Sequence, residues 1–525
     1  MCNLKNIRSN QMEKREEHKK RAYISVYNKE RIVEFCQYLV EYGYDLIATE
    51  GTCRVLTEAG LPVRSAHELT GYPEPLGGKV RAVHPAIYTG IIANELTKEQ
   101  LAELSDEDVY PIELVVINLY PFKEDMEAGI PFEEAAAHID AGGVALLNAA
   151  AKNFMHTVAV CDPDDYDRVL CDLATGVIPE DERRYLMYKA FSCTAAYDAL
   201  VSQYLSRQLK IAFPRTLTVT YEKAQDMRYG ENPHQRAAVY REPLLKEGSL
   251  ARAKQLTGES LSYNNINDAN SALELVKEFD APTVAVCKHC TPCSVGTGDT
   301  VYDAFMLAYR AEPLHMRGGI LAVNGIVDAR TAEAMKDLPV EVVIAVGFTP
   351  EAMSALRYNT SVRLLEMPDI RSKVQFSTFD MKKIYGGLLV QTYDAPVFEK
   401  ARCVTKRKPT VFEVKALDFN YKVAKHTRSS AMVLGKDNVT VGIGTGQTNR
   451  TLALRAALVI AKEESDGCVL ASDSAIPTTE CIELCHQHGV TAIIQTGSKD
   501  DGEFVDLCDR YGIAMLYTDA RHFRD

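Results

Sequence analysis

Short apolar runs alternate along the chain with segments whose apolar residues recur at helical spacing. The runs Ala22–Val26, Leu114–Ile117 and Val158–Cys161 predict buried parallel strands. Residues 31–42 and 184–207 instead have the periodicity of amphipathic helices. This alternation of strands and helices is typical of an α/β fold built on parallel sheets.

A polar, proline-containing connection at residues 213–220 interrupts the pattern and is the best candidate for a domain boundary. Beyond it, further strands are predicted at Thr283–Cys287, Val342–Val346, Cys468–Ala471 and Gly512–Tyr517. We therefore expect one domain over residues 21–213 and a second region over residues 214–525. Residues 1–20 are charged and polar, and we expect them to form a disordered leader.

The composition is that of a globular protein with several domains, since 46% of the 525 residues are hydrophobic and 25% are charged. The net charge of −13 argues against broad binding to a nucleic acid backbone. No apolar stretch approaches the roughly 18 residues that a transmembrane helix needs, and no signal peptide is apparent. The 14 cysteines are scattered, which favours reduced thiols and a cytoplasmic location.

Two loops are candidates for ligand binding. In Arg228–Gln235, six different polar residues surround one Gly and one Pro, which are typical of loops rather than of a core. In Ala48–Thr52, hydroxyls and a Gly lead from a predicted strand into a helix, which suits a phosphate. Ordinary helix capping also explains this second pattern. The basic run Lys406–Pro409 is predicted to be a solvated loop.

Several sequence blocks together resemble one enzyme family. In the first half they are Gly77–Pro85, Asn118–Phe122, Ile139–Gly143 and Ala149–Asn153. In the second half they are Arg228–Gln235, Gln255–Gly258, Leu261–Ile266, Lys288–His289, Gly386–Gln391, Gly442–Arg450 and Arg521–Arg524. In order and spacing, the blocks resemble the bifunctional phosphoribosylaminoimidazolecarboxamide (AICAR) formyltransferase/IMP cyclohydrolase family of purine biosynthesis. The resemblance implies an α/β fold in which a methylglyoxal-synthase-like parallel-sheet domain precedes two cytidine-deaminase-like α/β units.

For the first half, the resemblance implies closure of formyl-AICAR to IMP with loss of water. This reaction needs a group that takes a proton from the carboxamide nitrogen and groups that stabilise and protonate the formyl oxygen. The resemblance assigns these tasks to the catalytic residues Asp140, Tyr120 and Lys152. The substrate-binding residues that it implies are Ser25, Lys29, Thr49, Thr52 and Arg81.

For the second half, the resemblance implies formyl transfer from the co-substrate 10-formyltetrahydrofolate to the amine of AICAR. His289 would take the proton, and Lys288 would stabilise the oxyanion. The substrate-binding residues that it implies are Arg228, Tyr229, Gly318, Ser430, Arg450, Glu480 and Arg521. It also implies a homodimer that requires no metal and whose partners are small molecules, not nucleic acid or a membrane.

Several positions depart from the family pattern. Glu50 and Arg81 replace a Gly and a Lys in the first half. Ser430, Ala475 and Asp525 replace an Asn, a Phe and a terminal His in the second half. The lost aromatic contact at Ala475 predicts weaker folate binding. Two alternatives therefore stay open: a cyclohydrolase whose folate-dependent transfer is lost or uses another donor, and a non-catalytic purine-nucleotide-binding paralogue.

A metal site is the remaining alternative. Cys287, Cys290 and Cys293 have the spacing with which zinc and iron–sulfur sites can begin. Candidates for a fourth ligand are Cys481, Cys485, His486 and His488. However, Cys287 ends an apolar run, where a free cysteine often behaves as a small buried hydrophobe.

Overall fold

The computed structural model describes residues 20–72, 83–93, 99, 109–314, 316–357, 361–373, 379–395, 397–498 and 502–525. The chain divides into two compact units, one of Met1–Tyr221 with Glu242–Leu244 and one of Glu222–Arg241 with Leu245–Asp525. The predicted leader lies outside the described residues, except for Lys20, which begins the first strand. The boundary at residues 213/214 stays a prediction, and it falls close to the division at Tyr221.

The first unit contains a five-stranded parallel sheet in the order β3-β2-β1-β4-β5. Its strands are β1 (Lys20–Val26), β2 (Tyr44–Ala48), β3 (Val63–Ser65), β4 (Leu114–Asn118) and β5 (Val158–Val160). Its helices are α1 (Ile32–Glu41), α2 (Glu50–Glu58), α3 (Ala66–Thr70), α4 (Pro85–Ile92), α5 (Phe122–Ala128), α6 (Phe132–Ala137), α7 (Ala141–Lys152), α8 (Tyr166–Ala174) and α9 (Glu180–Gln208). The sheet buries apolar residues on both faces, as a parallel sheet covered by helices does.

The second unit contains a 12-stranded sheet and two separate hairpins. Its strands are β6 (Glu222–Met227), β7 (Ala237–Arg241), β8 (Lys254–Thr257), β9 (Thr283–Lys288), β10 (Thr291–Thr297), β11 (Ile320–Val327), β12 (Val342–Phe348), β13 (Arg363–Glu366), β14 (Phe379–Ile384), β15 (Gly387–Thr392), β16 (Arg402–Cys403), β17 (Met432–Lys436), β18 (Val439–Gly444), β19 (Val469–Ser472), β20 (Ala492–Gln495) and β21 (Ala514–Tyr517). Its helices are α10 (Tyr263–Val276), α11 (Val301–Ala311), α12 (Ala329–Met335), α13 (Pro350–Leu356), α14 (Val411–Lys425), α15 (Arg450–Ala461), α16 (Thr479–Gln487) and α17 (Gly502–Tyr511). In the described part of the chain, no helix combines the length and the hydrophobicity that crossing a bilayer requires.

The 12-stranded sheet is made of two repeats of one pattern. The first repeat has the order β10-β9-β11-β12-β13, and the second has the order β18-β17-β19-β20-β21. In each repeat the strand that comes first in the chain is antiparallel to both neighbours, and the last three strands are parallel. The repeats meet where Gly296 of β10 pairs with Val439 of β18. The predicted α/β fold class is confirmed, and the repeats match the two α/β units expected here.

Both repeats begin with a capped helix. Ser262 precedes α10, and its hydroxyl accepts from the backbone N–H of Asn265, whose side chain bonds back to Ser262. Thr410 and Glu413 form the same reciprocal box at the start of α14. Such boxes satisfy two backbone donors that the first helical turn leaves free, so local sequence fixes where both helices start.

Glycine lets one helix of each repeat lie directly on the sheet. A Cβ on Gly296 would stand 2.5 Å from the carbonyl oxygen of Ala304 in α11. A Cβ on Gly444 would stand 1.8 Å from the carbonyl oxygen of Ala453 in α15. Neither distance is possible for a real side chain, so the close packing of these helices requires glycine at both positions.

The basic run does not form a solvated loop at Arg407, which corrects the expectation from the sequence. The Arg407 guanidinium donates to the carbonyls of Gly512 at 2.6 Å and of Thr491 at 2.8 Å. It also forms a bidentate ion pair with Glu413 of the α14 capping box. A planar guanidinium can make all of these bonds at once, so Arg407 ties the start of α14 to the sheet.

Candidate active sites

The first candidate site lies at the carboxyl ends of β1, β2 and β4. The strand order changes direction between β1 and β4, and ligands of open parallel sheets bind at such a point. Ser25 lies in β1, and Thr49 follows β2 as the N-cap of α2. The Thr49 hydroxyl donates to the Ser25 hydroxyl at 3.2 Å. Two predicted residues are therefore together beside a helix N-terminus, which suits an anion.

Thr52 and Lys29 fasten the loop that follows β1. The Thr52 hydroxyl is buried and exchanges 3.2 Å hydrogen bonds with the backbone N–H and the carbonyl of Val26. The Lys29 ammonium donates to the same carbonyl. Burial and the positive charge of Arg54 lower the pKa of Lys29. Thr52 is therefore a structural support, whereas Lys29 is the cation at this end of the site.

Tyr120 follows β4 and belongs to a compact hydrogen-bonded group. Its hydroxyl donates to Asp125 Oδ1 at 2.9 Å. His138 Nδ1 donates to Asp125 Oδ2 at 2.9 Å and lies 3.2 Å from the Tyr120 hydroxyl. Burial and the hydrogen bond to Asp125 raise the pKa of Tyr120 to about 12. At neutral pH the phenol therefore keeps its proton and can act as a general acid.

Asp140 lies next to Tyr120. It is the N-cap of α7, where Oδ1 accepts from the N–H of Gly143 at 2.7 Å and Oδ2 lies 3.4 Å from the N–H of Tyr120. A Cβ on Gly143 would come within 2.8 Å of this carboxylate, so the close approach requires glycine. The backbone N–H of Asp140 donates to the hydroxyl of Tyr197 at 2.8 Å. The structure thus brings the predicted pair Tyr120 and Asp140 together.

Of the other two predicted residues, Lys152 is not part of this group. Lys152 is exposed at the last position of the 12-residue helix α7, which puts it roughly 18 Å from Asp140 along the helix axis. Arg81 lies outside the described residues. Conversely, no motif identified Asp125 or His138 from the sequence. Their one signal was their position between two of the family-like blocks.

The second candidate site is built on the hairpin between β9 and β10. Lys288 is the last residue of β9, and His289 is exposed at the tip. The Lys288 ammonium donates to the carbonyl of Arg317 at 3.2 Å. A Cβ on Gly318 would lie 3.6 Å from the same ammonium nitrogen, and Gly318 has a φ of 72°. The structure therefore brings Lys288 and Gly318 together, and His289 follows Lys288 in the chain.

One residue that the sequence did not reveal supports this hairpin. The Asp268 carboxylate, on α10, accepts from the backbone N–H of His289 at 3.0 Å and of Cys290 at 2.7 Å. The thiol of Cys290 also donates to it at 3.3 Å. A search for catalytic residue types near a motif could not find Asp268, because it lies on a different element and contacts the backbone.

Arg228 and Tyr229 lie on a small cavity of about 150 Å³. Arg228 is exposed and pairs with Glu259 at 2.6 Å. The other residues that line this cavity are Ser260, Leu261, Ser262, Asn265, Glu341 and Arg363. Lys288 and His289 do not line it. A substrate that engaged all four residues would therefore have to extend beyond this cavity.

Ser430 and Arg450 belong to the second repeat. The backbone N–H of Ser430 donates to the carbonyl of Gln447 at 3.1 Å. Arg450 begins α15, and its Nε lies 3.3 Å from Oδ1 of the fully buried Asp473. Burial raises the pKa of Asp473, and the attraction of Arg450 only partly offsets it. Arg450 is thus held beside an acidic group that has little access to water.

Glu480 and Arg521 have partners of their own. Glu480 pairs with Arg455 at 2.5 Å on the exposed side of α16. The Arg521 guanidinium stacks over the ring of Phe523 at 4.2 Å, and Arg450 lies 5.5 Å from the same ring. Phe523 therefore links Arg450 and Arg521, two of the predicted substrate-binding residues.

A larger cavity, of about 690 Å³, adjoins these segments. It is lined by residues of α10 and of the hairpin β14–β15, by Lys425, His426 and Arg428, and by Phe523–Asp525. None of the predicted site residues lines it. However, it is lined by Cys290 and Arg428, close neighbours in sequence of His289 and Ser430.

A buried charged group forms part of the wall of this cavity. His426 Nε2 donates to Glu278 Oε1 at 2.8 Å, and Lys425 donates to the same oxygen at 2.7 Å. Arg524 donates to His426 Nδ1 at 3.0 Å, which fixes a neutral imidazole with its proton on Nε2. Burial lowers the pKa of His426. Burial alone would raise the pKa of Glu278, but His426 and Lys425 outweigh it and lower this pKa to about 2.

The family of the chain follows from comparison with known proteins. The family model described as AICARFT/IMPCHase bienzyme matches residues 150–459, and the model of the MGS-like domain matches residues 31–145. A bifunctional purine biosynthesis protein PurH from Ruminiclostridium cellulolyticum is 45% identical over 511 residues, which cover 96% of this chain and 99% of the relative. The chain belongs to the AICARFT/IMPCHase bienzyme family.

Two further PurH relatives agree with this bienzyme assignment. PurH proteins from Acetivibrio thermocellus and Halalkalibacterium halodurans are each 44% identical over 96% of this chain, and the matches cover 99% and 100% of the relatives. The crystal structure of ForH matches at 37% identity over 36% of this chain and 100% of the ForH chain, with a TM-score of 0.32. As a member of the bienzyme family, the protein is an AICAR formyltransferase and an IMP cyclohydrolase.

The three cysteines of the hairpin β9–β10 have different surroundings in this bienzyme. Cys287 is fully buried in the core, and burial raises the pKa of its thiol. Burial also raises the pKa of Cys293, to about 11. Cys290 faces Asp268. Within the described ranges, no group of three or more His, Cys, Asp or Glu side chains is arranged to hold a metal ion.

Proposed function

We propose that this bienzyme works in purine biosynthesis. Its second unit transfers the formyl group of 10-formyltetrahydrofolate to AICAR, and its first unit closes formyl-AICAR to IMP. The proposal is carried by one observation in each unit: a protonated Tyr120 lies next to Asp140 in the first, and Lys288 directly precedes His289 at a hairpin tip in the second. We place the domain boundary at residues 213/214, close to where the compact units divide.

In the first unit, Tyr120 donates a proton to the formyl oxygen as the carboxamide nitrogen attacks the formyl carbon. Asp140 accepts the proton that this nitrogen loses and then gives it to the new hydroxyl, which leaves as water. The former formamide nitrogen returns a proton to the Tyr120 phenolate as the ring C=N bond forms. The phenol of Tyr120 supports the first role because it is protonated at neutral pH, and the adjacent carboxylate supports the second. Lys152 contributes charge rather than a proton, because it lies far along α7. The residues that hold the substrate are Ser25, Lys29, Thr49 and Arg81. Thr52 acts indirectly, because its buried hydroxyl fixes the loop after β1.

In the second unit, the amine of AICAR attacks the formyl carbon of the folate. His289 removes the amine proton, and Lys288 stabilises the oxyanion of the tetrahedral intermediate. His289 then gives the proton to the departing nitrogen, and tetrahydrofolate leaves. The exposed tip and the nearby Gly318 support this assignment, because both leave room for substrate. The remaining residues that hold the two substrates are Arg228, Tyr229, Gly318, Ser430, Arg450, Glu480 and Arg521.

The decisive experiment supplies purified full-length protein with AICAR and 10-formyltetrahydrofolate and measures IMP by mass spectrometry. We expect IMP from the wild type and formation of IMP slowed by about 10²–10⁴-fold in His289→Ala. Formyl-AICAR supplied directly should yield IMP from both proteins. Closure without transfer in the wild type would show that Ala475, Ser430 and Asp525 have altered the folate-dependent step. Binding of AICAR without any turnover would contradict the enzymatic proposal altogether.

The role of Tyr120 has its own test. Tyr120→Phe removes the proton that the ring closure needs, and general acid catalysis typically contributes about 10²–10⁴-fold in rate. We expect a loss of this size with formyl-AICAR as substrate. Tyr188→Phe, which alters a tyrosine that is 68% exposed, is the matched control. Unchanged closure by Tyr120→Phe would remove Tyr120 from the proposed mechanism.

We further propose that the protein is cytoplasmic and forms a homodimer. The scattered free cysteines support a reducing compartment. Light scattering after gel filtration tests the assembly, with an expected mass of twice the 58.2 kDa of one chain. A monomer with full transferase activity would contradict a required dimer.

A further inference from the structure

The hairpin that carries Lys288 and His289 turns through a conformation that its tip residues do not favour. His289 and Cys290 have φ values of 53° and 57°. Residues other than glycine seldom enter this left-handed region, although Asn, Asp and His do so more often than Cys. Two consecutive residues of this kind without a glycine are unusual. The turn therefore needs support from outside its own sequence.

Asp268 supplies that support. Its Oδ2 accepts from the backbone N–H of His289 at 3.0 Å, and its Oδ1 accepts from the N–H of Cys290 at 2.7 Å. Oδ1 also accepts from the thiol of Cys290 at 3.3 Å. A charged acceptor makes stronger hydrogen bonds to N–H groups than a neutral one. Both left-handed residues are thus bonded to one carboxylate.

The carboxylate is itself well placed. Asp268 lies in the second turn of α10, whose start is set by the capping box of Ser262 and Asn265. The next residue, Ala269, is fully buried in the core beneath the sheet. A rigid helix therefore holds Asp268 at a constant position beneath the hairpin tip.

We infer that Asp268 is a positioning residue for formyl transfer, acting on Lys288 and His289 through the backbone of the hairpin. The inference rests on the proposed function of that pair. Asp268 contacts the peptide N–H groups of the tip rather than the reacting atoms. Two oxygens are required, because two N–H groups in succession point at the same side chain.

The first test compares Asp268→Asn with the wild type in the full-length protein, with both activities measured. Asparagine keeps one acceptor oxygen but turns a donor group towards the other N–H. We expect the transferase kcat to fall roughly 10- to 100-fold, because small misplacements of a catalytic group have effects of this order. The KM for AICAR should change less, and ring closure in the first unit should not change. An unaltered transferase kcat would overturn the inference.

A rescue experiment separates positioning from a general loss of structure. Glycine adopts positive φ without strain, so Cys290→Gly should restore part of the transferase kcat in the Asp268→Asn background. Cys290→Ser is the matched control, since it replaces the thiol without freeing the backbone, and it should give no rescue. Equal recovery with both, or with neither, would contradict a role through the turn conformation.

Amide hydrogen exchange tests the contact without any catalysis. We expect the N–H groups of His289 and Cys290 to exchange faster in Asp268→Asn than in the wild type, because each loses its charged acceptor or gains a poorer one. Unchanged exchange would overturn the inference even if the enzyme were active. A wild type that lacks formyl transfer but shows this difference would instead refute the proposed function alone.

Discussion

The hairpin β9–β10 of the first repeat and the hairpin β17–β18 of the second join corresponding strands of the same pattern. The first turns through His289 and Cys290, and the second turns through Asp437 and Asn438. His289 and Asp437 occupy corresponding places, with φ values of 53° and 47°. The backbone is therefore similar at this point, whereas the side chains are not.

The difference explains how the first repeat can carry a proposed catalytic residue at its hairpin tip. An Asp at the tip tolerates the left-handed conformation by itself, so the second hairpin needs no support from below. At the position of α14 that corresponds to Asp268 stands Ala416, which is buried. In the first repeat the carboxylate lies in the helix instead of the turn, and the tip can carry a histidine.

The largest expected effect separates the two hairpins by activity. His289→Ala should reduce formyl transfer by about 10²–10⁴-fold, the usual contribution of a general base. Asp437→Ala, the matched change in the second repeat, should leave transfer within about twofold of the wild type, since the proposed site does not include that turn. Steady-state kinetics with AICAR and the folate measures both. Equal losses from the two variants would show that the repeats share the chemistry.

The next effect concerns the pair that joins the repeats. Glu278 follows α10 and His426 follows α14, at corresponding places, and the two side chains bond to each other. Glu278→Gln leaves buried Lys425 without its counter-charge, and such losses typically cost about 3–5 kcal/mol. Urea unfolding of the full chain measures this loss of unfolding free energy.

The control for Glu278→Gln is Glu464→Gln, which removes an exposed partner of Lys436. Exposed pairs contribute about 0–1 kcal/mol, so this variant should unfold almost as the wild type does. Similar losses of unfolding free energy in Glu278→Gln and Glu464→Gln would mean that the buried pair between the repeats stabilises the protein no more than an exposed pair does.

A smaller difference is expected from the glycines under α11 and α15. Gly444→Ala places a methyl against a backbone carbonyl at 1.8 Å, and Gly296→Ala does so at 2.5 Å. Overpacking costs about 1–3 kcal/mol, and we expect Gly444→Ala at the upper end and Gly296→Ala below it. Gly502→Ala, which meets nothing within 4 Å, is the control. The reverse order in urea unfolding would show that the second repeat relaxes more easily.

The smallest effect is a pH dependence of stability. The pKa of His426 is lowered from 6.5 in the folded protein. Below pH 6.5 the unfolded chain therefore binds a proton at this histidine more readily than the folded chain does, and stability falls as the pH falls. Glu278, whose pKa is lowered from 4.5 to about 2, loses its contribution only below pH 4.5. His426→Gln should therefore flatten the decline of the melting temperature between pH 6.5 and 4.5. An unchanged slope would place the titration elsewhere.

The sequence predicted much of this architecture, but only its local part. The apolar runs located β1, β4, β9 and β12, and the family-like blocks located Tyr120, Asp140 and Lys288. Asp125, His138 and Asp268 were missed, because their partners lie on other elements and contact is set by packing. The two α/β units were expected only from the family resemblance and not from a repeated motif, since the two copies share strand order and caps rather than residues.

The edges of the 12-stranded sheet have a consequence for the order of folding. β8 pairs with β13, and β16 pairs with β21, so the edge strand of each repeat is made long before its partner. Pairing between such distant segments is slow, because closing the long loop between them costs conformational entropy. During synthesis each repeat therefore holds an unpaired β8 or β16 until its last strand emerges. A ribosome stalled before β13 or β21 would expose an open sheet edge, the kind of surface that chaperones protect from aggregation.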